Sequence, residues 1–320
     1  MCTSTRTVRA LGAPLTGLGG TLSDNPPMRQ ALIALGVLFA LLAGSSAAPQ
    51  PAQGVLRQII PGHYVYSTGT FNSGVIATSE GVVVLDALAS DAVARTAREA
   101  ITRATGQPVR VLVSSTHHNQ YSKGNTAYAD AIRIGHENYR MDLLALMQRE
   151  KISVEEQQAR LPAVTFRDRL TLHLGGKEIQ ILHVGRAHTR GDSIIFVPQD
   201  RIAYLSELLF VNQFLFINDG YGLDWLKALD AVEALEADIV IAGHGAIPVD
   251  PRATREDLRR FRQMLVDVRD AVQKEIARGA TEDQAAASLR WPQYEKLQGY
   301  DAQRETAVRR LYRQLVGTLP

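Results

Sequence analysis

Four side chains of types that bind metal ions each follow an apolar, β-branched stretch of the sequence. They are His118, His188, Glu207 and His244. Neutral imidazole nitrogens and a carboxylate oxygen suit a borderline ion such as zinc, which keeps an open position when three protein ligands hold it. Each residue alone would be an ordinary loop residue, whereas four in succession near predicted strand ends favour a metal site. Such a site hydrolyses substrates with metal-bound water, whose pKa falls to about 7.

The elements that must position these side chains are strands that alternate with helices. Val82–Leu85 and Val109–Val113 are continuous apolar runs typical of buried strands, and Ser90–Thr105 between them has apolar residues at helical spacing. Further strand patterns follow at Arg169–His173, Glu178–Val184, Ser193–Val197, Ile202–Leu205 and Ile239–Ala242. From Arg252 the sequence becomes charged and helical. This order predicts an α/β sandwich with a C-terminal helical appendix.

The N-terminal segment has the pattern of a secretory signal peptide. Arg29 precedes the apolar run Ala31–Ala43, and Ser45 and Ala47 then occupy the small-residue positions that signal peptidase reads. An uncleaved anchor or a buried helix is the alternative, although the run is short for a membrane span.

These patterns divide the chain into three parts. Residues 1–47 comprise an N-terminal extension and the signal peptide Met28–Ala47, residues 48–250 the main domain, and residues 251–320 the helical appendix. Because a cleaved signal directs export, we predict a periplasmic or secreted protein.

Composition excludes several classes of protein. With 320 residues, 45% of them hydrophobic, the chain can bury a sizeable core and is neither disordered nor collagen-like. Cys2 is the single cysteine, so the sequence can form no intrachain disulfide and no cysteine-based metal site. Of 35 Lys and Arg and 33 Asp and Glu, three arginines and one aspartate precede residue 48, which leaves 32 of each sign. A neutral mature chain predicts no nucleic-acid partner.

Six segments, in this order and spacing, resemble the metallo-beta-lactamase superfamily of binuclear zinc hydrolases. They lie within roughly Tyr64–Val249 and read FNSGVIATSEGVVVLDA, VRVLVSSTHHNQYSKGN, GHENYRMDLL, LHVGRAHTRGDSIIFVP, RIAYLSELLF and WLKALDAVEALEADIVIAGHG. The helical tail is similar to that of secreted members called quinoprotein-relay-type metallohydrolases. The resemblance implies an αββα metallo-beta-lactamase sandwich with a zinc site along one edge. It also implies a small-molecule substrate, namely an ester, thioester, lactone or lactam.

The principal metal-binding motif of that family is altered in this sequence. The family has His-x-His-x-Asp-His, followed three residues later by Gly and often Asn. Anchoring on the Gly-Asn pair at 124–125 places Thr116, His118, Gln120 and Tyr121 at the four ligand positions. A register shifted by one residue would put a serine where the strand requires an apolar residue, so we prefer the first. Three of the four ligands are therefore replaced.

Other positions of the family's site are kept or changed conservatively. The resemblance makes His188 in GRAHTRGD and His244 in Gly-His-Gly metal ligands, and Glu207 stands in place of a bridging aspartate. Two complete sites are not possible without further ligands. One zinc ion held by His118, His188 and either Glu207 or His244 is chemically reasonable.

Two interpretations remain. The favoured one is an exported hydrolase with one metal ion, in which Gln120 orients water and Tyr121 is a fourth ligand or a proton donor. The alternative is an inactive protein of the same fold that binds a small molecule or a partner protein in the former active-site cleft. It would be favoured if Thr116, Gln120 and Tyr121 bonded one another and filled the metal space. An oxidoreductase with an iron pair would need the carboxylate-rich ligand set that Gln120 and Tyr121 remove.

Overall fold

The computed structural model describes residues 54–245 and 251–319. The predicted extension and signal peptide lie outside these residues, so that prediction stays an expectation. Among the helices of the described ranges, none combines the length and the apolar character needed to cross a membrane.

Two β-sheets form the centre of the fold. The first has seven strands in sequential order, antiparallel from β1 to β4 and parallel from β4 to β7. The second has five strands in the order β12–β11–β10–β9–β8. The strands of the first sheet are β1 (Val55–Ile60), β2 (His63–Ser67), β3 (Asn72–Thr78), β4 (Gly81–Leu85), β5 (Val109–Ser114), β6 (Ile132–His136) and β7 (Val164–Phe166). Those of the second are β8 (Arg169–Leu174), β9 (Lys177–Leu182), β10 (Ile194–Val197), β11 (Ile202–Phe210) and β12 (Ile239–His244).

Helices pack on the outer faces of both sheets, which confirms the predicted αββα sandwich. The buried runs of β4 and β5 and the helix between them also agree with the sequence patterns, and Ser90 caps that helix by accepting from the backbone N–H of Val93. The helices are α1 (Asp91–Thr105), α2 (Asn119–Ser122), α3 (Glu137–Arg149), α4 (Val154–Arg160), α5 (Gly222–Glu233), α6 (Pro251–Ala277), α7 (Glu282–Ser288) and α8 (Tyr300–Leu315).

The apolar core between the sheets holds their facing strands in register. Its members are β-branched and aliphatic residues of the inner faces, including Val83, Val113, Ile181 and Ile195, all at most 1% exposed. Burial of such side chains contributes about 1.5–3 kcal/mol each. Because two rigid sheets meet in this core, the loops at one edge have fixed positions relative to one another.

The C-terminal helices belong to a second apolar cluster on the outer face of the five-stranded sheet. One face of α6 forms an apolar stripe that is buried there, with Phe261, Leu265 and Val268 at most 2% exposed. A capping box begins α7, since the side chains of Thr281 and Gln284 each accept from the other residue's backbone N–H. The helical appendix thus packs against α5 and β11–β12 through shared apolar residues.

The second sheet differs from the sequence prediction at two of the expected ligands. The predicted strand ended at Leu205, but β11 continues to Phe210, so Glu207 lies inside a strand instead of following one. His244 is likewise the last residue of β12 instead of a turn residue. The polar pair Ser206-Glu207 suggested a strand end, yet both side chains have buried partners that allow the strand to continue.

His136 ends β6 and caps helix α3, and this role makes the stability of the fold depend on pH. Its Nδ1 accepts from the N–H of Asn138, and its ring stacks 3.9 Å from that of His183. Burial, and then the neighbouring His183, lower the pKa of His136 from 6.5 to about 4. The neutral ring is therefore favoured in the folded state, and its contribution is complete above pH 6.5 and is lost as the pH falls towards 4.

We expect the melting temperature to fall on acidification through this range, and to fall less in a His136→Asn variant. Asparagine is an effective N-cap that does not titrate. The measurement is thermal unfolding followed by circular dichroism at several pH values between about 7 and about 4.5. Identical pH dependence of the variant and the natural chain would contradict the assignment.

Candidate metal centre

Glu207 lies at the centre of three imidazoles. Its Oε2 is 2.8 Å from Nδ1 of His118 and 3.3 Å from Nε2 of His188, and its Oε1 is 3.1 Å from Nε2 of His244. The carboxylate is 1% exposed and His188 is fully buried. The four side chains come from β11, the end of β12 and the loops after β5 and β9. The structure therefore brings together all four residues that the sequence predicted as ligands.

Three of the donor atoms have the spacing of a metal coordination shell. Nδ1 of His118 and Nε2 of His188 are 3.1 Å apart, and Oε2 of Glu207 lies 2.8 and 3.3 Å from them. Ligands about 2.0–2.1 Å from a tetrahedral zinc ion are about 3.3 Å from one another. These residues fit one ion with three protein ligands. His244 faces the other carboxylate oxygen of Glu207 and lies outside this group of three.

Three buried histidine nitrogens near this centre have no hydrogen-bond partner within the described ranges. They are Nδ1 of His117, of His188 and of His244. The ring of His188 is enclosed edge-on by Phe210 and Trp225, with centroids 5.2 and 5.4 Å away. This apolar wall fixes the direction of the ring, so that Nε2 faces Glu207. An imidazole with one nitrogen in an apolar wall and the other in a ligand cluster is suited to hold a metal ion.

Charge is concentrated on the carboxylate and on one imidazole. Burial opposes ionisation of Glu207, but His188 and His118 outweigh it and hold its pKa well below the usual value. Burial also opposes protonation of His118, whereas Glu207 and Asp219 outweigh it and raise its pKa to about 10. Burial lowers the pKa of His188, although Glu207 opposes this shift. Metal binding would replace the proton of His118, so uptake of an ion releases a proton.

The two residues proposed as catalytic have different surroundings. The hydroxyl of Tyr121 donates to the carbonyl of Gly243 at 2.7 Å, and the ring is fully buried against Phe71 and His244. Nε2 of Gln120 lies 3.4 Å from Oε1 of Glu207. Tyr121 thus ties the loop after β5 to β12, whereas Gln120 borders the ligand group.

The replaced motif positions do not form a network of their own. Within the described residues, the hydrogen bonds of Thr116, Gln120 and Tyr121 go to His118, Glu207 and Gly243, respectively. The arrangement that would have favoured a binding protein is therefore not the one observed.

His118 also has a partner on its outer side. Its Nε2 is 3.1 Å from Oδ2 of Asp219, and with His117 these residues form a second group of donor atoms. Asp219 is 60% exposed, whereas the inner group is buried. Sequence reasoning missed Asp219, because the Asn-Asp-Gly turn that contains it matches no ligand motif.

A cavity of about 630 Å³ adjoins this outer side. Its walls include His117, Asp219 and Tyr221 together with three arginines, Arg149, Arg190 and Arg310. Asp142 pairs with Arg190 at 2.6 Å and neutralises it. In the part of the chain that the structure describes, Arg149 has no acidic partner, and the side chain of Arg310 donates to the carbonyl of Gly220. Asp219 also interacts electrostatically with Arg310, so the positive charge that remains beside the site is that of Arg149.

Comparisons with known proteins agree with this fold. Among curated sequences, the linear primary-alkylsulfatase of Pseudomonas sp. is 26% identical over 146 residues, which are 43% of this chain and 27% of the relative. The alpha subunit of 2,4-dinitroanisole O-demethylase of Nocardioides sp. is 22% identical over 187 residues, or 57% of this chain and 54% of the relative. The chain thus spans about a quarter and about half of the curated relatives it matches.

Solved structures and a family model point to the same architecture. A metallo-beta-lactamase from Pontibacter korlensis has a TM-score of 0.56 and 18% identity, over 67% of this chain and 99% of that one. The inverting sec-alkylsulfatase Pisa1 from Pseudomonas sp. has a TM-score of 0.63 and 15% identity, over 82% of this chain and 50% of that one. The model of the metallo-beta-lactamase superfamily matches residues 69–244, more than half of the chain. The chain therefore belongs to the metallo-beta-lactamase superfamily.

Proposed function

We propose that this protein is a metal-dependent hydrolase with a single ion, zinc in the first instance, held by Nδ1 of His118, Nε2 of His188 and Oε2 of Glu207. The observation that carries the proposal is the mutual spacing of these three donor atoms, 2.8 to 3.3 Å. A bound ion with an open position would supply an activated water at neutral pH. Membership of a hydrolase superfamily supports the same reaction class.

Other roles in the site fall to residues of the chain, which would balance the charge of the ion, exclude bulk water and orient a water molecule. Glu207 supplies the negative charge that offsets the ion, and the aromatic wall around His188 excludes bulk water from one side. Gln120, 3.4 Å from the carboxylate, is placed to orient a water molecule. Tyr121 would have to leave the carbonyl of Gly243 to act as a ligand or proton donor, and that role stays a prediction.

The substrate class follows from the family and from the cavity. A small ester, thioester, lactone or lactam is the expected substrate, and the positive charge of Arg149 favours an ester that carries an anionic group. Sulfate esters are the first to test, because two of the similar proteins are alkylsulfatases. We further propose export to the periplasm or medium, based on the pattern at 28–47. No nucleic-acid partner is expected.

Metal content is the first test of this function. We expect about one equivalent of zinc in the purified protein and loss of that zinc in His118→Ala and in His188→Ala, because each variant removes one of three ligands. His173→Ala is the matched control, since His173 is exposed on β8 and should leave the metal content unchanged. The assay is mass spectrometry of the metal after reconstitution.

The same assay decides between the two interpretations. If the natural chain holds no zinc, manganese or iron, the proposed hydrolase function is contradicted. The result would favour the alternative, an inactive protein that binds a small molecule or a partner protein in the former active-site cleft. With metal bound, screening of alkyl sulfates against neutral esters then tests the substrate class.

A further inference from the structure

We infer that Asp219 is a positioning residue that orients His118 for metal binding, and that the C-terminal helix α8 holds Asp219 in place. The inference rests on the proposed metal site and adds to it a residue and an element outside the ligand group. It assigns a role in the site to the helical appendix.

The two nitrogens of His118 face different partners. Nδ1 lies 2.8 Å from Oε2 of Glu207 and 3.1 Å from Nε2 of His188, whereas Nε2 lies 3.1 Å from Oδ2 of Asp219. A neutral imidazole has one N–H and one lone pair. Without a metal ion, both nitrogens of His118 face carboxylate oxygens, which can only accept, and both carry a proton. An ion bound in the inner ligand group would replace the proton of Nδ1, and Asp219 would keep the remaining proton on Nε2, so that the lone pair of Nδ1 points at the ion.

This arrangement is the carboxylate–histidine–metal relation found around many metal ions. The outer carboxylate fixes the tautomer and the direction of the ring and raises the basicity of the ligating nitrogen. It also argues against a second ion on the outer side, because a nitrogen that carries a proton cannot act as a ligand. His117 and Asp219 would then be left as an incomplete set of two donors on a partly exposed wall.

Asp219 is held by a turn that the C-terminal helix supports. The N–H of Gly220 donates to the carbonyl of Ile217 at 3.0 Å and closes the turn. The carbonyl of Gly220 accepts from Nε of Arg310 at 2.8 Å and from Nε2 of Gln314 at 3.2 Å. Both donors lie on α8. The turn therefore has two side-chain hydrogen bonds to the helix at the residue next to Asp219.

Packing beside this turn leaves little room for movement. A Cβ added to Gly222, where α5 begins, would lie 2.6 Å from Cδ2 of Leu311 on α8. The N–H of Leu223 also donates to Oε1 of Gln314 at 3.3 Å. Because α8 contacts the chain at Gly220, Gly222 and Leu223, directly after Asp219, a shift of the helix would move Asp219 relative to His118.

The test measures zinc affinity of the full chain by competition with a chromophoric chelator. We expect Asp219→Ala to bind zinc about 10- to 100-fold more weakly with unchanged stoichiometry. Asp219→Asn should regain most of that loss, because its carbonyl oxygen still accepts from Nε2 of His118. Asp224→Ala is the matched control, since this nearby carboxylate pairs with Arg186 and Lys227 and, among the described residues, contacts no imidazole.

A second pair of variants tests the helix. In Arg310→Met with Gln314→Met the turn loses both side-chain donors, and we expect a loss of zinc affinity in the same direction and smaller than that of Asp219→Ala. Arg309→Met, on the same helix but paired with Glu282 and Asp283, should bind zinc as the natural chain does. A ¹H–¹⁵N correlation spectrum of the zinc-loaded protein should show the proton of His118 on Nε2.

The outcomes separate this inference from the proposed function. Unchanged affinity in Asp219→Ala, with one zinc bound to the natural chain, overturns the inference alone. An equal loss in Asp224→Ala, a proton on Nδ1 of His118, or a lower number of bound ions in Asp219→Ala also overturns it. A natural chain that binds no zinc overturns both the inference and the proposed function.

Discussion

A Glu207→Gln variant is expected to bind zinc roughly 100-fold more weakly while it keeps its fold. Four-ligand zinc sites gain about 10–16 kcal/mol on binding, so one ligand contributes about 3 kcal/mol, or roughly a 100-fold change in affinity. Glu207 is the one carboxylate of the inner ligand group, and its charge also faces His244. The measurement is zinc affinity of the variant and the natural chain under identical conditions.

The same substitution should weaken the metal-free protein. The buried carboxylate is the main partner of protonated His118, and removal of one member of a buried ion pair costs about 3 kcal/mol or more. Urea unfolding in the presence of a chelator measures this loss. Glu236→Gln is the control, because Glu236 is 86% exposed in its pair with Arg201 and should change the free energy of unfolding little. A Glu207→Gln variant that keeps full zinc affinity would show that the ion binds elsewhere.

A Gly243→Ala variant is expected to destabilise the fold by about 3 kcal/mol, because overpacking of a close contact forces backbone shifts. A Cβ at Gly243 would lie 2.3 Å from the carbonyl carbon and 2.4 Å from the carbonyl oxygen of Ser206 on the neighbouring strand. These are backbone atoms, which cannot rotate away as a side chain could. Separation of β11 from β12 would also move His244 and Glu207 apart.

The free energy of unfolding and the zinc affinity both test this prediction, and both should fall. Gly69→Ala is the control for backbone strain without a clash, since Gly69 has a φ of +89° and no atom within 4 Å of an added Cβ. We expect Gly69→Ala to lower the free energy of unfolding by about 1–2 kcal/mol. A Gly243→Ala variant that is no less stable than Gly69→Ala would contradict the close approach of the two strands.

Much of the fold was predictable because its signals are local. β4 and β5 are runs of mostly β-branched residues and are largely buried on both faces. The helix α1 between them has an apolar stripe and a serine cap. Strand ends were less predictable where polar residues are buried. The predicted boundary of β11 was wrong because the side chains of Ser206 and Glu207 have buried partners, Asp86 and His118, which the run of residue types does not show.

The sequence by itself determined the fold class and which residues make up the candidate metal centre, because periodicity and residue type are properties of short segments. His118, His188, Glu207 and His244 were all predicted from their positions after apolar runs and from the family's motifs. Only the tertiary structure decided that Nδ1 of His118 faces the ligand group. Asp219, 101 residues away in sequence, binds the other nitrogen of His118. Such a contact depends on how two sheets and a C-terminal helix pack, and the local pattern around either residue does not encode it.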